Sequence, residues 1–149
     1  MKLINVFFLF LVTTSSIANA ATIGSAYIFG ERLEGNECGL SNDASEAAIA
    51  SVLRQNRISI ARDSFDKIKF YYGINNLNVN NGCVVSIKLQ VFNYGDYLVP
   101  TSPPKKLFSK IELCGHSYLL TGPKYDLQSR VSDALRTLVE MCINEISKQ

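Results

Sequence analysis

The chain has 149 residues, of which 15 are basic and 13 acidic, and 47% are hydrophobic. Such a length suits one domain with a real core. A net charge of +2 gives no long-range reason to favour nucleic acid or an anionic membrane, so neither is expected as a partner.

The first twenty residues read as an export signal. Lys2 is a minimal positive start, Leu3 to Val12 is apolar apart from Asn5, and a small polar stretch ends in Ala18-Asn19-Ala20. That order predicts cleavage between Ala20 and Ala21. The apolar run is short for a membrane anchor and no basic stop-transfer cluster follows, so no stable membrane insertion is expected after cleavage. No cysteine follows the cleavage point, so lipid attachment there is not indicated. Residues 21–149 are expected to form a single α+β domain, periplasmic or extracellular. Asn-x-Ser/Thr is absent, in keeping with a bacterial periplasm.

In chain order, Ala26 to Phe29 can add a short edge strand. Gly30 to Cys38 is an acidic connection bearing Glu31, Glu34 and Glu37, whose spacing does not match a calcium loop. Ser41 or Asn42 can cap a helix running from Asp43 to Gln55, with Asp43 in its first turn and Arg54 in its last. Its apolar face is rich in alanine and permits close approach to a sheet. Ile58 to Arg62 alternates as a strand. Lys67 to Tyr72 follows, with Ile68, Phe70 and Tyr72 on one side and Lys67, Lys69 and Tyr71 on the other. Gly73 is a candidate bulge. Asn80-Asn81-Gly82 predicts a tight hairpin turn into the most regular strand of the chain, Cys83 to Tyr94. There Cys83, Val85, Ile87, Leu89 and Val91 form the buried side, opposite Ser86, Lys88 and Gln90, with loop cover expected for Val84, Phe92 and Tyr94.

Gly95 to Lys106 carries Pro100, Pro103 and Pro104 and is expected as an exposed loop with an apolar entry at Tyr94, Tyr97, Leu98 and Val99. Leu107 to Leu120 resumes as a strand, with Leu107, Ile111, Leu113 and Leu119 on one parity and Lys110, Glu112, Cys114, His116 and Tyr118 on the other. Gly115 can bend it, and Gly122-Pro123 ends it. The closing helix, Leu127 to Ile146, carries a stripe of Leu127, Val131, Ala134, Leu135, Leu138, Cys142 and Ile146. The expected architecture is a two-layer sandwich: a three- or four-stranded, mainly antiparallel sheet with both helices on one face.

Four cysteines in an exported domain argue for two disulfides. Strand parity separates Cys83 from Cys114, so Cys83–Cys142 with Cys38–Cys114 is slightly preferred. The set Cys38–Cys83 with Cys114–Cys142 requires a flip of parity near Gly115. No C-x-x-C supports thiol exchange.

Nothing in the chain composes a catalytic set. His116 is the one histidine, and Glu112 lies about 13 Å along the strand from it. Asp63/Asp66 and Glu31/Glu34 lack an apolar setting that would separate their proton affinities. Nucleophile-elbow, phosphate-loop and dinucleotide motifs are missing, and no cofactor or metal is expected. The leading expectation is an exported protein that binds another macromolecule of the cell envelope or exterior, as an assembly accessory, inhibitor or immunity-type protein. Its contacts would come from Tyr97, Leu98 and Val99 and from a polar sheet face at Lys88, Glu112 and His116. The alternatives are a small hydrolase using His116 and a homo-oligomer joined through the Tyr27–Phe29 edge.

Overall fold

Alternation along Cys83 to Val91 sets the frame of the molecule. In the computed structural model Cys83, Val85, Ile87, Leu89 and Val91 are all buried on one sheet face, while Ser86 and Lys88 are exposed on the other. The structure describes residues 23–149 except 32, 34, 35, 63–65 and 81, and the side chain of Tyr97. The expected export signal, Glu34, Asp63 and Asn81 therefore lie outside the described residues.

The elements are β1 (Ser25–Gly30), α1 (Asn42–Gln55), β2 (Ser59–Ile60), β3 (Ile68–Val79), β4 (Gly82–Val99), β5 (Lys105–Gly122) and α2 (Lys124–Ile146). They build a five-stranded sheet in the order β2-β1-β3-β4-β5. The fold is α+β with both helices on one face, but the sheet is larger than the three or four strands expected, and it is mixed. β1 runs parallel to β2 and β3, whereas β3, β4 and β5 are antiparallel. The parallel pairing of β1 with β2 follows from their connection through α1, which is long enough to return the chain to the same end of the sheet. β1 is not a terminal strand, although β2 covers it only at Ser25 and Ala26.

α1 begins where the capping argument places it: the Ser41 hydroxyl accepts from the Ala44 N–H at 3.3 Å. Arg57, at φ 59°, turns the chain out of the helix, and the Ile58 N–H closes on the Leu53 carbonyl at 2.9 Å. The core is one cluster between the helices and the sheet. Phe70, Tyr72 and the β4 residues meet Ile49, Val52 and Leu53 of α1 and Leu127, Val131, Leu135, Leu138 and Val139 of α2. The Tyr72 ring lies over Gly30, where any Cβ would collide with it. β3 passes Gly73 in unbroken register, so the candidate bulge there is absent.

The irregularity falls in β5. Val91 pairs with Cys114 while Phe92 pairs with Glu112, so Leu113 is an extra residue in the ladder. This bulge reverses the alternation read from the sequence. Cys114, His116 and Leu120 turn to the helix side, while Leu119 turns outward and is 66% exposed. The disulfides are accordingly Cys38–Cys83 and Cys114–Cys142, the set that needed a parity flip and not the preferred one. The flip occurs at Leu113, two residues before Gly115. One bond ties the acidic connection to the start of β4, and the other ties β5 to α2.

Gly95 to Lys106 is also corrected. β4 continues to Val99 and β5 starts at Lys105, because Pro100, Pro103 and Pro104 all fall in the 100–104 turn and leave the flanking ladder free of proline. β3 pairs with β4 only up to Phe92, opposite Lys69. Among the described residues, 93–99 and 105–111 therefore pair only with each other and extend about 20 Å past the body as a two-stranded arm.

Candidate functional site

The sheet face away from the helices carries the molecule's unusual surface. Period-2 alternation sends Tyr27 and Phe29 of β1, Lys69 and Tyr71 of β3, Phe92 and Tyr94 of β4, and Phe108 and Lys110 of β5 to this side. Their rings join into a stripe. Tyr27 and Phe29 are 5.8 Å apart between centroids, Phe29 and Tyr71 5.3 Å, Phe29 and Phe92 6.1 Å, Phe92 and Tyr94 5.7 Å, and Tyr94 and Phe108 5.8 Å. These are separations at which offset and edge-on ring pairs attract. Rings and a cation, not loops, cover Phe92: the Lys110 ammonium sits 4.0 Å from its centroid.

Lys69 lies within this stripe and is only 5% exposed. Its Nζ donates to the Lys67 carbonyl at 2.7 Å and stands 5.2 Å from the Tyr94 ring centroid. With Tyr27, Phe29, Phe92 and Tyr94 it lines a cleft of about 230 Å³. Nearby, the Tyr71 hydroxyl donates to Glu31. Burial and this carboxylate together push the Tyr71 hydroxyl up to about 12.

The stripe runs onto the arm. Phe108 is 70% exposed and Leu98 61%, both on the stripe side, while Leu107 and Ile111 are exposed on the opposite side. Among the described residues helix cover ends before the arm, so its helix-side face is not packed and its stripe side is covered only by its own rings and Lys69. Its charges are Asp96, Lys105, Lys106 and Lys110, a surplus of cations, and the Lys106–Asp96 contact of 3.9 Å is an exposed pair of little energetic weight.

The residues expected to form the site are thus divided. Leu98 and Val99 belong to the arm, as does Tyr97, which pairs with Leu107. Lys88 and Glu112 share the open sheet face, where Gln90 donates to Glu112 at 3.3 Å. His116 does not join them, because the Leu113 bulge turns it to the helix side. Its partner is Glu145 of α2, Nε2 to Oε1 at 2.8 Å, and not Glu112. The other Glu145 oxygen lies 3.3 Å from Cys114 Sγ. Cys114, His116 and Cys142 present their ligand atoms within 4.8 Å of one another. Both sulfurs are bonded to each other, however, so neither is a thiolate donor or nucleophile. What remains is an imidazole–carboxylate pair bracing β5 against α2. Sequence reasoning assigned Lys69 and Tyr71 to the correct side, but it missed the stripe, which depends on the order of strands that are distant in sequence.

Among the described residues, no helix is long and apolar enough to cross a membrane. No protein-family model matches the chain, and neither does any curated protein. Among solved structures it is similar to a minor lipoprotein from Acinetobacter baumannii, at 13% identity over 85% of this chain and 92% of that one, with a TM-score of 0.41. It is also similar to a PelC dodecamer from Paraburkholderia phytofirmans, at 13% identity over 84% and 86% of the two chains, TM-score 0.41. A third likeness is to rare lipoprotein B from Shewanella oneidensis, at 14% identity over 83% and 89%, TM-score 0.24. Overlaps this loose assign neither a family nor a function.

Proposed function

We propose that this is an exported protein of the cell envelope or exterior that binds another protein through the β4–β5 arm. The observation that carries this reading is the arm itself. A two-stranded ribbon is marginal in water, and this one, with no third strand among the described residues, also holds Leu98, Leu107 and Phe108 in solvent. Docking would bury those side chains and the unpaired strand edges together. The surplus of lysines on the arm fits a partner surface with an apolar centre and an acidic rim.

Point substitutions test this better than removal of Tyr97 to Val99, which would cut into β4. Leu98→Asp with Phe108→Asp is expected to abolish complex formation while both disulfides and the thermal midpoint are kept. Leu119→Asp, equally exposed but on the body, is expected to leave binding intact. Retained affinity in the folded arm variant would defeat the assignment.

A further inference from the structure

We infer that the cleft around Lys69 is a binding site for a small planar aromatic carboxylate. This shares only Tyr94 with the arm and does not depend on the arm's docking. An ammonium has three protons to donate, and the Lys67 carbonyl takes one of them at 2.7 Å. Tyr94 offers the cation a ring face. Among the described residues no carboxylate lies within 4.0 Å of Lys69, whereas Lys67, two positions earlier, pairs with Asp66 at 2.9 Å. Asp66 feels the Lys69 charge without touching it, so an ammonium that is only 5% exposed has no carboxylate in contact among the described residues and keeps donor capacity for an anion that reaches it.

The walls specify the rest of the ligand. Tyr27, Phe29, Phe92 and Tyr94 present ring faces and edges, with hydroxyls on the two tyrosines, which suits a flat, unsaturated body. A cleft of about 230 Å³ is smaller than the range of roughly 300–1,000 Å³ common for drug-sized ligands, so it suits a small aromatic acid. The carboxylate would accept from Lys69 Nζ, and the ring would lie between Phe29 and Tyr94. No covalent step is involved.

The test uses the purified chain and three probes: benzoate, benzylamine with the same ring and the opposite charge, and acetate with the acid but no ring. Ligand-detected NMR is expected to show benzoate bound and the other two not. Lys69→Met should weaken benzoate about 10- to 100-fold, the loss of one charge-assisted contact. Lys69→Arg should bind within about tenfold of wild type, which separates loss of charge from a folding defect. Equal benzoate affinity in Lys69→Met, or benzylamine binding as well as benzoate, would overturn the site, as would a benzoate contact mapped away from Phe29 and Tyr94. Because no partner protein is present, the outcome is independent of whether the arm docks.

Discussion

Tyr71 and Tyr72 sit side by side on β3 and face opposite ways, yet both are held in the neutral form. The Tyr71 hydroxyl donates a hydrogen bond to Glu31 on the open face, and burial with that carboxylate raises its pKa from 10.0 to about 12. Tyr72 is raised further, by burial first and then by Glu46, whose Oε1 accepts its hydroxyl at 3.2 Å. A group whose proton is held more tightly in the folded state contributes stability that is complete below its unfolded value. That contribution is lost as pH climbs through the folded one. Unfolding free energy should therefore fall between pH 10 and about 12, and tyrosinate absorbance should show two protons leaving above the ordinary tyrosine range. Tyr71→Phe should remove one late proton and soften the alkaline loss. A single titration step near 10 shared by every tyrosine would contradict this account. His116 makes a plainer claim at the same scale. Since it braces Glu145 beside a closed disulfide, His116→Gln should cost no more than about 1 kcal/mol in urea unfolding.

At the scale of elements, one residue decides how much of the molecule was legible. Helix caps, turn residues and hydrophobic periods placed α1, β3, the hairpin into β4, and α2 close to where they lie, because those signals are local. The Leu113 bulge has no local signature, since Leu-Cys-Gly-His alternates as well as any strand. Only the partner strand reveals that Val91 and Phe92 face Cys114 and Glu112. The disulfide pairing and the surroundings of His116 were misread for that single reason. Deleting Leu113 should leave a regular ladder with every side chain on its present face, so both disulfides should still form. Deleting Ser117, inside the regular part of β5, should put either Cys114 or Leu120 on the wrong face and lose Cys114–Cys142. Thiol titration of the unfolded, unreduced chains distinguishes these outcomes. Free thiols in the Leu113 deletion would show that the bulge is not a simple insertion. The same bond closes a stretch of 28 residues, so removing it through paired Cys114→Ala and Cys142→Ala substitutions should cost about 3–4 kcal/mol.

The whole molecule divides into a stapled body and an unsupported arm. In the body, two helices and two disulfides enforce one packing around β4. In the arm, the strands have only each other, and their apolar side chains meet solvent. The prolines that seemed to forbid strand structure from Gly95 onward only mark the turn at the tip, which explains why composition alone suggested a loop. The aromatic stripe connects the two parts: Phe92 is buried on the body, Tyr94 starts the arm, and Phe108 lies exposed beyond it. A surface that continues from a cleft onto a projecting ribbon suits a protein that engages a partner at one end.

Site-specific photocrosslinking in the native exporting compartment tests that claim most directly, with the reactive group placed at Leu98, at Phe108 or at the exposed body residue Leu119. The account predicts one shared adduct, to a protein other than this chain, at both arm positions and none at Leu119, weakening as salt is raised. Adducts to a second copy of the chain, or the same adduct at Leu119, would contradict it.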